Sequence, residues 1–485
     1  MHDLDLNPDR WPLLLSKSRA PAGVITVTAP YDGAAIAEVE TAGAAHVDDA
    51  LQVAHGLYRD RSGWLPLAER VSILERTADI MSENADLLAV EAAREGGKPL
   101  GDSQVEVARG IDGVRTCVEH IRIEAGHVIP MGTTTGGAGR LAFTQKEPIG
   151  VVVAVSAFNH PLNLIVHQVS AAIAAGCPVI VKPADDTPLS CLRFASILHA
   201  AGLPPAWCQV VIAESIPAAE ALVTDARVGF FSFIGSAKIG WMLRSKLAPG
   251  VRAALEHGGA APLILAEDAD QDAALASVLK GGFYHAGQVC VSVQRVFAPR
   301  SMARQFAESV AQGAAALKLG DPTDAATEIG PLIRHAETTR VHSWVEEAIA
   351  AGAERLAGGD PLSPSLYPCT VLLDPPADAT VSRKEIFGPV VCIYSYDDMD
   401  QAIDVANDLP VAFQAAVFTK DIDTALHAFK RLDASAVMVN DHTAFRVDAM
   451  PFAGLRESGL GVGGIPHTIE DMQIEKMMVV KSAEL

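Results

Sequence analysis

The sequence predicts an α/β protein built from two doubly wound lobes with a cleft between them. Two observations carry that prediction. From residue 150 onward, short β-branched runs alternate with helical stretches, and a second alternation of the same kind runs from about 260 to 445. Strands covered on both faces read as continuous apolar runs, and their alternation with helices makes the sheet parallel. Such sheets bind ligands at the carboxyl ends of their strands.

The elements follow in order. Residues 49–60 and 67–94 carry apolar positions at helical spacing, the second as one long amphipathic helix or a pair. The Gly/Thr-rich stretch 126–150 reads as a strand-turn-strand excursion. GVVVAVSA then opens the first alternation, followed by a helix over 161–175, CPVIVK, a helix over 188–201, WCQVVIA, a helix over 215–225, VGFFSFI and a helix over 236–248. In the second alternation the clearest pieces are APLILAE, a helix over 270–285, RVFAP, a helix over 301–317 and VVCIYSY. Two α/β lobes around a cleft suit a two-substrate cofactor enzyme.

Composition narrows the function classes. The 485 residues hold 38 Lys+Arg against 59 Asp+Glu, a formal net charge of −21. That balance argues against phosphate-backbone binding, which needs clustered cations, so no nucleic-acid partner is expected. Mean hydropathy is +0.22. No stretch reaches the roughly 18 consecutive apolar residues of a spanning helix, so no membrane partner is expected either. The first residues, MHDLDLNPDR, lack a basic stretch followed by an apolar run, so a soluble, cytoplasmic protein is expected. Seven scattered cysteines without a CxxC pair fit reduced thiols rather than a disulfide scaffold or a zinc site, and no metal is expected.

Three segments hold residues able to do chemistry, and each reads two ways. Cys290, in GQVC, is either a buried inert thiol or a nucleophile whose Gly-containing turn offers amide N–H groups that favour thiolate. Glu256, in LEHGG, is either a solvated strand-end carboxylate or a general base raised in pKa at a cleft mouth. Asn159, in SAFNHPL, is either a helix cap or a side-chain amide donating to an oxyanion; alone, it favours the cap. Two further elements suit a dinucleotide. Lys182 and Asp185 end a strand where ribose hydroxyls are met, and Gly235-Ser236 joins a strand to a helix whose N-terminus suits phosphate.

Taken together, these residues resemble the aldehyde dehydrogenase superfamily. EGGKPL (95–100), KEPIGVV (146–152), the Asn159 segment, KPAD, FIGSAKIG, LEHGG, GQVC, KEIFGPV (384–390), MVND (438–441) and PFAGLRESGLG (451–461) stand in the family's order. The resemblance implies two Rossmann-like domains and a small β element for oligomerisation. Residues 1–120 and 147–256 would bind the dinucleotide, 257–450 would carry the nucleophile, and 121–146 with 466–485 would bridge subunits in a homodimer or homotetramer. It further implies Cys290 as nucleophile forming a thiohemiacetal and then a thioacyl enzyme. Asn159 and the Cys290 amide would stabilise the oxyanion, and Glu256 would activate the hydrolytic water. Lys182 and Asp185 would face the adenine ribose, Gly235 and Ser236 the pyrophosphate, and Glu385 with Phe387 the nicotinamide riboside.

Departures from the family pattern bear on specificity. Asp185 stands where NAD-preferring members usually have Glu, so NAD is expected as the preferred cofactor with NADP also used. His160 replaces a common aromatic of the substrate tunnel, while Arg109 (in VEVARG, 105–110) and Arg446 (in FRVDAMPFAG) are either substrate contacts or structural ion-pair partners. Together they resemble the branch acting on lactaldehyde, glyceraldehyde-type aldehydes and phosphonoacetaldehyde, although Val289 beside the nucleophile is apolar. A small polar aldehyde, hydroxylated or anionic, is the expected substrate, and the cleft is expected to be locally basic. His257 and Ala453 replace a common Leu and Gly without removing a chemical group. A CoA-acylating dehydrogenase is the competing enzyme, disfavoured by Glu256. A non-catalytic dinucleotide-binding oligomer is the competitor of another class.

Overall fold

The computed structural model describes residues 4–485. Its first parallel sheet holds Val151–Val155, Val179–Lys182, Cys208–Val210, Val228–Ile234 and Arg252–Glu256. With those strands numbered along the chain, their spatial order is 3-2-1-4-5, and a short antiparallel strand, Gly459–Leu460, closes the edge beside Arg252–Glu256. The topological switch lies between Val151–Val155 and Val228–Ile234, so the loops leaving those two strands frame a crevice. All five residues of Val151–Val155 except the last are buried, as a strand covered on both faces requires.

The second sheet follows at once. Glu256 ends the first sheet and Ala261 starts the second, whose order is 354–357, 370–373, 390–396, 293–299, 261–265, 414–418, 436–439. All neighbours are parallel except the antiparallel edge strand Glu354–Ala357. The carboxyl end of one sheet therefore abuts the amino end of the next. The expectation that both lobes present carboxyl ends to ligand holds only for the first.

Three smaller sheets complete the β structure among the described residues, one of them only the antiparallel pair Val411–Ala412 and Leu455–Arg456. Gln473–Lys481 pairs antiparallel with Arg140–Pro148, and Val128–Ile129 flanks the latter. The helix Ile465–Asp471 is not part of that element, because Ile465, Ile469 and Met472 are buried in the core of the first lobe. An N-terminal sheet of Arg10–Trp11, Gly23–Thr28 and Ala35–Thr41 was not legible as a separate unit.

The 67–94 periodicity resolves into two helices, Leu67–Glu83 and Ala85–Gly96. Asn84 breaks them, its backbone and side-chain amides both turning back to the Ile80 carbonyl. Gly97 ends the second in the left-handed conformation (φ 75°), and Pro99 precedes the next helix, Leu100–Ile123. The helix Pro188–Ala200 begins without a cap from Thr187. Glu95 supplies one from another helix, accepting the Leu189 and Ser190 amides at 2.9 and 2.7 Å. Replacing Glu95 by Ala removes this buried cap, and we expect the first unfolding transition in urea to lose about 2 kcal/mol. An unchanged midpoint would show that the cap contributes nothing.

Candidate active site

One cavity of about 740 Å³ lies where the two sheets meet, and every site residue named from the sequence lines it. The first lobe contributes loops from strand carboxyl ends, carrying Asn159, His160, Lys182, Asp185, Gly235, Ser236 and Glu256. The second lobe contributes from its amino ends: Cys290 precedes the strand Val293–Pro299, and Glu385 with Phe387 precedes Val390–Tyr396. Helix Leu100–Ile123 and the loop after residue 440 close the far side with Arg109 and Arg446.

The loop leading to Cys290 is sharply bent. His285 (φ 48°), Ala286 (φ 54°) and Gly287 (φ 69°) are consecutive left-handed residues, and a Cβ on Gly287 would lie 2.1 Å from the Gly388 carbonyl oxygen. Gln288 fastens the bend, its amide donating to Pro331 O (3.2 Å) and its oxygen accepting from Ile333 N (3.0 Å). Cys290 is the one partly exposed cysteine, while the other six are buried. Burial pushes its thiol up to about 12, with Arg446 opposing and the carboxylates of Glu385 and Glu256 adding to the rise. The expected thiolate-favouring loop is thus outweighed by desolvation in this state. Val289, Val291, Phe413 and Phe452 form the apolar wall responsible.

Asn159 does not cap the following helix. Its Nδ2 donates to the Gln288 carbonyl at 2.9 Å, which ties it to the Cys290 loop and leaves its second N–H free for another acceptor. Glu106 does the capping instead, accepting the Leu162 and Asn163 amides at 2.9 Å each. Glu256 is held above its ordinary pKa by burial, against the pull of Arg446. A Cβ on Gly463 would lie 2.1 Å from Glu256 Oε1, so that glycine is what lets the carboxylate seat.

The opposite half of the cavity has the chemistry of a dinucleotide cradle. Lys182 Nζ meets Asp185 at 2.7 Å. Gly235 and Ser236 precede the helix Ala237–Arg244, and Gly235 N donates to the Glu256 carbonyl at 3.1 Å. His257 supports this turn from beneath. Its Nδ1 donates to Gly235 O at 2.8 Å, and a Cβ on Gly240 would lie 2.0 Å from its ring. Glu385 is raised to about 8 by burial, and its Oε1 is enclosed without a partner. An orphaned acceptor of that kind fits a ribose hydroxyl, and the residues present fit the cofactor. Phe387 packs edge-on against Phe158, with ring centroids 5.8 Å apart.

On the substrate side the two arginines differ. Arg109 is committed to Asp448 by hydrogen bonds of 2.7 and 3.0 Å. Asp448 also accepts from His167 (2.7 Å) and Asn163 (3.2 Å), and these donors hold its carboxyl far below the usual range despite burial. Arg446 has no ion pair among the described residues. Its guanidinium lies 3.6 Å from the Phe452 ring centroid, with Nε and Nη2 enclosed and unpartnered. His160 accepts from Lys98 Nζ at 3.0 Å and stacks on Tyr284, centroids 6.0 Å apart. Sequence reasoning missed Asp448, Phe452, Gly463 and the Lys98–Glu106 pair. Asp448 and Phe452 stood within motifs already quoted, but nothing in spacing alone assigns them partners.

The charge of Arg446 predicts a reactivity change. Removing it in Arg446→Met takes away the cation that lowers the Cys290 pKa, so less thiolate exists at a given pH. Iodoacetamide labelling of Cys290 at pH 8 should slow by about tenfold per pKa unit gained. Equal or faster labelling would refute the coupling.

The chain matches the description "Aldehyde dehydrogenase family" over residues 17–478. It is 36% identical over 413 residues to a 3-sulfolactaldehyde dehydrogenase of Priestia aryabhattai, covering 85% of this chain and 86% of that one. Aldehyde dehydrogenase 21 of Physcomitrella patens, solved with the reaction product succinate, superposes with a TM-score of 0.94 at 32% identity, covering 98% and 99% of the two chains. A glyceraldehyde-3-phosphate dehydrogenase GapN of Methanocaldococcus jannaschii, solved with NADP, gives 0.90 at 32% identity over 94% and 99%.

Proposed function

This chain belongs to the aldehyde dehydrogenase family and is an NAD(P)-dependent enzyme, and from that premise we propose that it oxidises a small anionic aldehyde to its carboxylate. The observation that carries the substrate class is Arg446. A guanidinium enclosed beside an aromatic ring, without an ion pair, is costly unless a ligand supplies the missing charge. A carboxylate, sulfonate or phosphonate tail would do so. Two relatives support this choice, one named for 3-sulfolactaldehyde and one crystallised with succinate. His160 and Arg109 would add polar contacts from the same wall, which also suits a hydroxylated substrate.

The chemistry follows from the lining groups. Cys290 Sγ gives its proton to solvent water and adds as thiolate to the aldehyde carbon, whose carbonyl oxygen becomes an oxyanion. The free N–H of Asn159 and the Cys290 amide would donate to that oxygen. Cofactor held between Lys182, Asp185, Gly235, Ser236, Glu385 and Phe387 supplies the hydride acceptor. The resulting thioacyl group on Cys290 is then attacked by water. Glu256, poised above its ordinary pKa, takes the water proton, and the thiol is released with the carboxylate. Glu256 argues for hydrolysis rather than transfer to CoA, and carboxylate formation without CoA would settle that point.

Asp185 repels a 2′-phosphate, so NAD is the expected cofactor, but its engagement with Lys182 leaves room for NADP. A steady-state screen with Cys290→Ala as the blank tests both readings. We expect kcat/KM for succinic semialdehyde and phosphonoacetaldehyde to exceed that for propanal and benzaldehyde by about a hundredfold. Arg446→Met should cost the anionic substrates about that factor, the worth of one desolvated charge-assisted contact. Higher kcat/KM for aromatic or long-chain aldehydes would overturn the substrate class, and a kcat/KM ratio favouring NADP would overturn the cofactor preference.

Seven unpaired thiols support the cytoplasm as the compartment, and no helix among the described residues is long and apolar enough to cross a membrane. The sheet of Arg140–Pro148 and Gln473–Lys481 supports a homodimer or homotetramer, because Met477 and Val479 leave apolar side chains open on one of its faces. Met477→Asp together with Val479→Asp should shift sedimentation toward smaller species. An unchanged coefficient would exclude this face as the contact.

A further inference from the structure

The buried link between helices Ala85–Gly96 and Leu100–Ile123 controls how the cavity presents His160. Gly97 must be left-handed there, and a Cβ on it would lie 2.8 Å from Pro331, so the chain turns tightly and drives Lys98 inward. Lys98 is fully buried, and Glu106 is 1% exposed. Three groups meet the ammonium: the Glu106 carboxylate, His160 Nδ1 at 3.0 Å and the Asn159 carbonyl at 3.4 Å. A carboxylate, a carbonyl and a ring nitrogen can each accept one N–H of a lysine carrying three protons. Burial pulls the Lys98 ammonium below its ordinary pKa, and the Glu106 carboxylate in direct contact opposes that pull and favours the charged form.

The consequence falls on the imidazole. If Nδ1 accepts from Lys98, the ring proton must sit on Nε2. None of the hydrogen bonds of the described residues uses Nε2, and His160 lines the cavity. The groups around the ring reinforce this state. Lys98 and Arg109 come from the link and the helix, Tyr284 and His285 from the turn before the nucleophile, and Arg446 from the loop opposite. Three of these carry positive charge, which opposes a second proton on the ring. Glu106 is the counter-charge, and it is engaged by Lys98 and by the Leu162 and Asn163 amides.

We infer that Lys98 is a positioning residue for specificity. It holds His160 as the uncharged tautomer protonated at Nε2, so that the side chain meets substrate as a hydrogen-bond donor and not as a cation or an acceptor. The substrate atom opposite His160 must then be an acceptor, such as a hydroxyl lone pair or an oxygen of the anionic tail. Charge recognition is left to Arg446. The Lys98–Glu106 pair also anchors both ends of the turn that carries Asn159, so one buried contact sets the substrate donor and the backbone of the oxyanion donor together. The specificity part of this inference rests on the proposed substrate class, while the tautomer does not.

The test uses the intact enzyme labelled with ¹⁵N-histidine, with the His160 signals assigned by their loss in His160→Gln. We expect a bare Nδ1 and a protonated Nε2, unchanged from pH 6 to pH 8. A proton on Nδ1, or conversion to imidazolium within that range, would overturn the inference. Lys98→Met leaves Glu106 with backbone donors only, so the double variant Lys98→Met/Glu106→Gln serves as the folded alternative, checked by circular dichroism. In either variant the Nε2–H pattern should give way to mixed tautomers. KM for succinic semialdehyde should rise about tenfold or more, with a smaller change in kcat. His160→Gln, which keeps an N–H near the Nε2 position, should restore KM to within about threefold of wild type, and His160→Asn should not. An unaltered histidine spectrum in both lysine variants would also overturn the inference. A wild-type enzyme without preference for anionic aldehydes would count against the proposed substrate class, and the spectrum would still decide the role of Lys98.

Discussion

Charge inside a protein is tolerable only where an opposite charge or a set of hydrogen bonds meets it, and this cavity is organised by that requirement. Asp448 is fully enclosed and remains ionised because Arg109, His167 and Asn163 all donate to it. Lys98 and Glu106 answer each other, and Glu106 spends its second oxygen on two backbone amides. Glu95 and Arg193 are enclosed in the same manner deeper in the first lobe, the former at a helix start, the latter against Glu91 and the Leu6 carbonyl. These networks connect the helices of residues 85–123 to the strand ends of the first sheet. The loop that carries Asn159 and His160 is therefore held from two sides.

Against that background the groups left unanswered are informative. Glu385 keeps an enclosed oxygen without a donor, and burial raises it to about 8. Arg446 keeps two enclosed nitrogens without an acceptor. Cys290 and Glu256 lie between these poles, both raised by desolvation and both eased downward by Arg446. Each pKa unit is worth about 1.4 kcal/mol between protonation states, so a ligand that neutralises Arg446 would also change the readiness of the thiol and the base. In the proposed mechanism, substrate charge and the protonation of Cys290 and Glu256 are coupled through one guanidinium.

Much of the fold was legible because its signals are local. Continuous apolar runs such as Val151–Val155 announce a doubly covered strand, whereas the helix Leu100–Ile123 was not bounded from the sequence. The candidate site was legible in its residue types because motif order fixed them, and all of them line one cavity. What escaped was whatever depends on partners distant in sequence. Asn159 looked like a cap because the capping acceptor, Glu106, comes from another helix. Nothing in the sequence ties Gly463 to the Glu256 carboxylate that packs against it. The amino-end placement of Cys290 was equally hidden, since it follows from how the second sheet is set against the first and not from any residue near 290.

The acidic balance of the chain suggested a locally basic cleft inside an acidic shell, and pairing revises that picture. Lys182 is met by Asp185, Arg334 by Asp186, Arg340 by Glu337 and Arg109 by Asp448. Nearly every cation that reaches the cavity thus brings its own acid, and Glu256 and Glu385 add carboxyls that burial raises above their ordinary pKa. A surplus of lysine and arginine is not what would attract an anionic substrate here. Paired cations still orient donors, as Arg109 does, but their net field is small beyond a few ångströms and screened further by salt. Selectivity for a negative tail must then come from the cation without an acid, at short range and after water has been displaced. For the proposed substrate class, that makes the depth of Arg446, rather than the sign of the whole cleft, the quantity on which substrate choice depends.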